Sequence, residues 1–164
     1  MSAEELHELI QTLAQTPETI AGCANDLSNE ELTWRNESRE FSALENVCHL
    51  RDIEVEGYTV RINRILSEDD PVLVDIDGGR LAIERNYAAQ NLDEALKTFA
   101  RARAANVRTL KTLREEQFSR AGTLEGIGVV SLERLVELML EHDQGHLDDL
   151  KIIRRRFHQQ ASAF

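Results

Sequence analysis

The sequence is poor in the residues that break chains into short pieces. Only two of its 164 residues are proline and eight are glycine, which excludes a turn-rich β fold and favours long helices. Cys23 and Cys48, its two cysteines, are too few for the disulfide framework of a small secreted domain. No apolar run approaches the ~20 residues that cross a bilayer. The polar opening Met1-Ser2-Ala3-Glu4-Glu5 does not read as a secretory signal, so a cytoplasmic protein with no membrane partner is expected. Bases are outnumbered by acids 19 to 30, a net charge of −11. Such a surface repels phosphate backbones, and no nucleic-acid partner is expected. What remains, 41% hydrophobic and 30% charged residues, describes an ordinary globular chain, read as one domain over residues 1–164.

Helical periodicity dominates what is there. Leu6, Leu9, Ile10 and Leu13 lie along one face of a first helix from about Ala3 to Ala14. Thr16-Pro17-Glu18 reads as a cap with proline in the first turn, opening a second short helix to about Asn25. Ser28 caps a further helical turn. Ser42 with Glu45 three residues on is a capping-box arrangement. It opens a long helix to about Leu66, with Val47, Cys48, Ile53, Val55, Tyr58, Ile62 and Ile65 facing inward. Residues 71–79 read as a loop, Arg80 to Ala89 as a short helix, and Asp93 to about Glu116 as a long one. A glycine-rich connection at 121–128 leads to a last helix, capped by Ser131 and running to about Gln159. Four long amphipathic helices with short extras make an all-α four-helix bundle.

The histidines carry the chemistry. His142 and His146 are four apart on the last helix, so they project from one face with Cβ atoms about 5–6 Å apart. Both fall at or near the apolar series Leu135, Met139, Leu150 and Ile153. A buried neutral imidazole needs a partner at each ring nitrogen, and a metal supplies one. His49, on the inward side of the Ser42 helix, is the third candidate, since facing helices of a bundle bring ligands together. Carboxylates flank these positions: Asp143 and Asp149 beside the pair, Glu45 and Asp52 beside His49. They either accept the second ring N–H or are solvated surface. Glu45 is the nearest acid on the face of His49 and the candidate general base. His7 and His158 read as surface, and Cys48 and Cys23 as small core residues. Trp34 and Phe41 read as seals at the ends of the bundle.

The stretch from Glu37 through Phe41-Ser42-Ala43-Leu44-Glu45 to His49-Leu50-Arg51-Asp52, followed far downstream by Glu141-His142-Asp143-Gln144-Gly145-His146-Leu147, resembles the DinB/YfiT family of metal-dependent enzymes. Its motifs are Trp-Ser-x-x-Glu leading into His-Leu-x-Asp, then His-x-x-x-His. Phe41 stands where the family often has tryptophan. The resemblance implies an up-down-down-up bundle in which His49, His142 and His146 bind a divalent metal, commonly zinc or nickel. It also implies a transferase or isomerase using a low-molecular-weight thiol, and a homodimer, while an ion on three imidazoles, which lowers the pKa of bound water toward ~7, adds a hydrolase. By chemistry alone three imidazoles suit zinc, nickel, copper or iron. The expected function is thus a metal-dependent enzyme acting on a small-molecule substrate. The alternatives are a non-catalytic interaction module with a structural or vestigial metal site, and a plain bundle with satisfied core histidines.

Overall fold

The computed structural model describes residues 1–37 and 40–162; Ser38 and Arg39 of the quoted motif lie outside them. Ser28, Ser42 and Ser131 cap helices α2 (Asn29–Thr33), α3 (Ala43–Asp52) and α7 (Leu132–Ala161). Each side chain accepts from the backbone N–H three residues on, and Glu31 and Glu45 complete capping boxes. Asp77 and Asn91 do the same for α5 (Gly78–Glu84) and α6 (Leu92–Lys111).

The first helix departs from expectation. Instead of breaking at Thr16, α1 runs unbroken from Ala3 to Asn25 with Pro17 inside it. Proline has no N–H to offer the carbonyl four residues back. That carbonyl belongs to Leu13, and Arg103 Nη1 of α6 donates to it at 3.3 Å. The missing rung is filled from a neighbouring helix, so the helix continues.

The long element opened by Ser42 is continuous but not uniformly α-helical. After α3 it passes through a π-helical turn, Ile53–Tyr58, into α4 (Thr59–Ser67). There the Thr59 N–H reaches back to Glu54 O, one residue further than in an α-helix. The extra residue resets the buried face. Ile53 and Tyr58, five apart, are both buried, whereas Val55, expected inward, is exposed.

Two segments read as loops form a small sheet. Strand β1 (Val72–Leu73) pairs in parallel with β2 (Ala121–Leu124), which pairs antiparallel with β3 (Gly128–Ser131). Gly126 and Gly128 take the positive φ values, 77° and 105°, of the hairpin turn. Strands this short carry almost no alternation, and β1 finds its partner about fifty residues away, so local pattern could not show them. Leu73, Leu124 and Val130 turn inward and close one end of the core.

Helices α1 and α3 each pack against both α6 and α7, which gives the expected four-helix bundle. Its interior is two apolar clusters with a polar layer between them. One cluster holds Leu13, Ile53, Val107 and Met139; the other holds Ile20, Leu50, Phe99 and Leu150. On α6 the buried residues between Phe99 and Val107 are Arg103 and Asn106, and on α7 Met139 and Leu150 straddle His142, Asp143 and His146. The candidate ligands therefore sit at mid-bundle.

Candidate metal centre

Three ring nitrogens converge in this layer. His142 Nε2 lies 3.1 Å from His49 Nε2 and 3.2 Å from His146 Nε2. The ligating atoms of the three residues fall within 4.8 Å of one another, the one such histidine, cysteine or carboxylate group among the described residues. The one-turn spacing on α7 sets the His142–His146 pair, and the packing of α3 on α7 brings in His49.

The tautomer of His146 can be derived. Asn46 Nδ2 donates to Ser42 O at 2.9 Å and faces Phe41 O at 3.4 Å. Its Oδ1 is thereby turned to His146 Nδ1, 2.6 Å away. A carbonyl oxygen only accepts, so His146 carries its proton on Nδ1 and turns the Nε2 lone pair to the cluster. Burial lowers the pKa of all three imidazoles: His142 to about 2 and His146 to about 3, with mutual repulsion adding to it, and His49 in the same direction. At neutral pH the cluster is three uncharged rings.

Three such rings cannot satisfy one another. His49 Nδ1 and His142 Nδ1 are buried without a hydrogen-bond partner among the described residues. Protons placed there are stranded donors, and protons moved to Nε2 crowd the space where the three nitrogens meet. A cation facing three lone pairs resolves the conflict, and nitrogens sharing an ion at roughly 2.0–2.1 Å must themselves stand about this close. The donor set fits a divalent transition metal.

The walls are as specific as the ligands. A Cβ at Gly78 would fall 2.3 Å from His49 Cε1 and 2.4 Å from its Nδ1, so only glycine lets the start of α5 lie against this ring. Phe41 packs on His49 with ring centroids 5.4 Å apart. Trp34, read with Phe41 as a seal, packs against the same apolar cluster and stands edge-on to Phe157. A cavity of about 330 Å³ opens onto His49 and His142 between Tyr58, Arg61, Ile76, Leu124, Leu135 and Leu138.

The flanking acids sort differently from expectation. Asp143 is not solvated surface: it is 1% exposed and takes two bonds from Arg103, 2.5 and 3.1 Å. Arg103 also forks onto Glu54 at 2.8 and 2.9 Å, and Asn106 joins Glu54 at 2.7 Å. Asp149 is exposed and stands 3.9 Å from His146 Nδ1, whose close partner is Asn46. Asp52 is bound by Arg51, Arg85 and the Tyr87 hydroxyl. Glu45 is buried, and both its oxygens are engaged: Oε2 by Ser42 N–H and Arg35 Nε, each at 2.8 Å, and Oε1 by Arg35 Nη2. Cys48 is core, its thiol pushed up to about 11 by burial. His7 and His158 are exposed, His158 against Glu31.

Asn46, Gly78 and Arg61 escaped the sequence reading. Asn46 had a signal, since it stands three residues before His49 and so shares its face. Nothing local marks Gly78 or Arg61.

Comparison with known proteins agrees with this architecture. The model of the DinB superfamily matches residues 12–150. A Bacillus licheniformis protein named "Putative metal-dependent hydrolase" is 28% identical over 160 residues, covering 93% of this chain and 86% of its own. Among solved structures, YfiT from Bacillus subtilis, described as a probable metal-dependent hydrolase with an unusual four-helix bundle topology, superposes with a TM-score of 0.90. The match spans 96% of this chain and 90% of that one at 19% identity, a likeness of fold.

Proposed function

The chain belongs to the DinB superfamily, and from that premise we propose that it is a metal-dependent hydrolase whose divalent metal, zinc or nickel, is held by His49, His142 and His146. The observation that carries this is the meeting of their three Nε2 atoms at 3.1 and 3.2 Å beside a cavity. The name of the Bacillus licheniformis relative supports hydrolysis. When bound, an ion on three neutral ligands keeps its full charge, polarises a carbonyl and lowers the pKa of water toward ~7.

The protein's own part is positioning and exclusion. Asn46 holds the His146 proton on Nδ1 and so fixes the lone pair at Nε2. Burial keeps all three rings uncharged and ready to donate. Gly78 and Phe41 lock the His49 ring. Glu45, pinned by Arg35 and Ser42, secures the first turn of α3, from which Asn46 and His49 project. The apolar walls of the cavity take a small organic substrate and keep bulk water from its reacting group.

The test is metal content by mass spectrometry on the wild type, His49→Ala and His146→Ala, with circular dichroism for folding. About one equivalent in the wild type, lost in both folded variants, is expected. Ester and amide hydrolysis should be lost with the metal, and adding low-molecular-weight thiols to the same screen tests the transferase alternative. A wild type that takes up neither zinc nor nickel overturns the proposal.

A further inference from the structure

Arg61 is a buried cation that meets only a distant, exposed anion among the described residues. It is 7% exposed, yet its one hydrogen bond among the described residues is from Nη2 to Val74 O at 2.9 Å. The nearest carboxylate, Asp75 Oδ1, is 3.6 Å away on a side chain that is 72% exposed. Arg61 Nε is buried with no hydrogen-bond partner among the described residues. Arg103, by contrast, is fully matched by Glu54 and Asp143. Withdrawing a guanidinium from water without pairing it is costly, so a fork left this open is a recognition element in waiting.

Its location says for what. Arg61 lines the same cavity as His49 and His142. The Tyr58 ring touches both ends: its centroid is 5.6 Å from Arg61 Cζ and 5.9 Å from the His142 ring. Gly57 makes the room. A Cβ there would crowd Ile76 Cδ1 at 3.3 Å and meet Arg61 Cζ in ordinary contact at 3.7 Å, so the bare π-turn gives Ile76 its place beside Arg61. The lining between is apolar, with Ile53, Ile76, Leu124, Leu135 and Leu138. Glu141 at the edge is already bound by Arg134.

We propose that Arg61 anchors a carboxylate of the substrate, so that the enzyme acts on small acids: an apolar body with a carboxylate at the Arg61 end and the hydrolysed bond at the histidine end. This rests on the histidine cluster being the hydrolytic centre. One planar fork matches one planar carboxylate. A doubly charged phosphate would set its second charge near Asp75 and Glu141 with no further cation to meet it among the residues lining the cavity.

The probes are 4-phenylbutyrate and its uncharged twin 4-phenylbutyramide, titrated calorimetrically into the full chain, zinc-loaded and after chelation. The acid should bind about tenfold tighter than the amide in both states. Arg61→Gln, shown folded by circular dichroism, should erase the difference, the acid losing far more affinity than the amide. Arg61→Lys, which keeps a point charge without the fork, should retain part of it. Equal binding of acid and amide to the wild type, a preference that survives Arg61→Gln, or binding of neither overturns the proposal. So does a preference that vanishes on chelation, because the carboxylate would then sit on the metal. Failure of the metal reading shows separately, as a chain that takes up no zinc yet still prefers the acid.

Discussion

Replacing Arg103 by methionine tests whether the polar layer is a single electrostatic unit. Arg103 and its two carboxylates, Glu54 and Asp143, are each 1% exposed. Four charge-assisted bonds between 2.5 and 3.1 Å hold them, and a fifth from Arg103 serves the Leu13 carbonyl that Pro17 leaves free. Methionine fills much of the volume but leaves two buried carboxylates without their cation, Glu54 with only the Asn106 amide, and the Leu13 carbonyl without its donor. Breaking a buried ion pair costs about 3–5 kcal/mol, against a total stability of about 5–15 kcal/mol for a native protein. For a chain of this size that is a fall in Tm of about 6–20 °C. The pH dependence separates charge from packing. Without the guanidinium, nothing offsets the burial that already pushes the Asp143 carboxyl pKa up in the folded state. The folded variant then binds more protons than the unfolded chain, so its stability falls as pH rises. Urea unfolding followed by circular dichroism at pH 7 and pH 5 should therefore show the deficit shrinking at the lower pH. Adding Glu54→Gln and Asp143→Asn should restore part of it. A loss below about 1 kcal/mol, or one equal at both pH values, would refute the reasoning.

Further outcomes follow from the same geometry. Asn46→Ala removes the acceptor that orients His146; zinc affinity by competition with a chelator should drop about 10–100-fold, while Asn46→Asp, which keeps an acceptor, should lose less. Gly78→Ala puts a methyl group 2.3–2.4 Å from the His49 ring, so metal content should fall while the far-ultraviolet spectrum stays helical. Although burial pushes Asp52 up, Arg51, Tyr87 and Arg85 hold its pKa below the ordinary value. Its contribution is therefore present above about pH 4 and lost as the pH falls through the folded value. Asp52→Asn should be less stable at pH 7 and show a flatter acid-unfolding profile.

The sequence by itself determined the helical class and most helix starts. These are local matters: Ser28, Ser42 and Ser131 each bond a backbone N–H three residues on, and 3.6-residue periodicity needs no partner to be visible. It also supplied the three histidines, because i,i+4 spacing on one helix and a lone inward histidine on another are readable as faces. What only the tertiary structure decided are the properties that belong to pairs of distant residues. Pro17 breaks a helix by local rules and does not here, because Arg103, 86 positions away, takes the carbonyl it leaves free. Val55 reads as core until the π-turn resets the face behind Ile53. Asp143 reads as an acceptor for a ring N–H or as solvated surface, and is neither until Arg103 meets it. His146 gains its tautomer from Asn46 on another helix, and Arg61 its openness from having only the exposed Asp75, at 3.6 Å, as an ion-pair partner among the described residues. Local pattern proposes a face for each side chain; only packing decides whether it keeps that face, as at Val55, and what waits there.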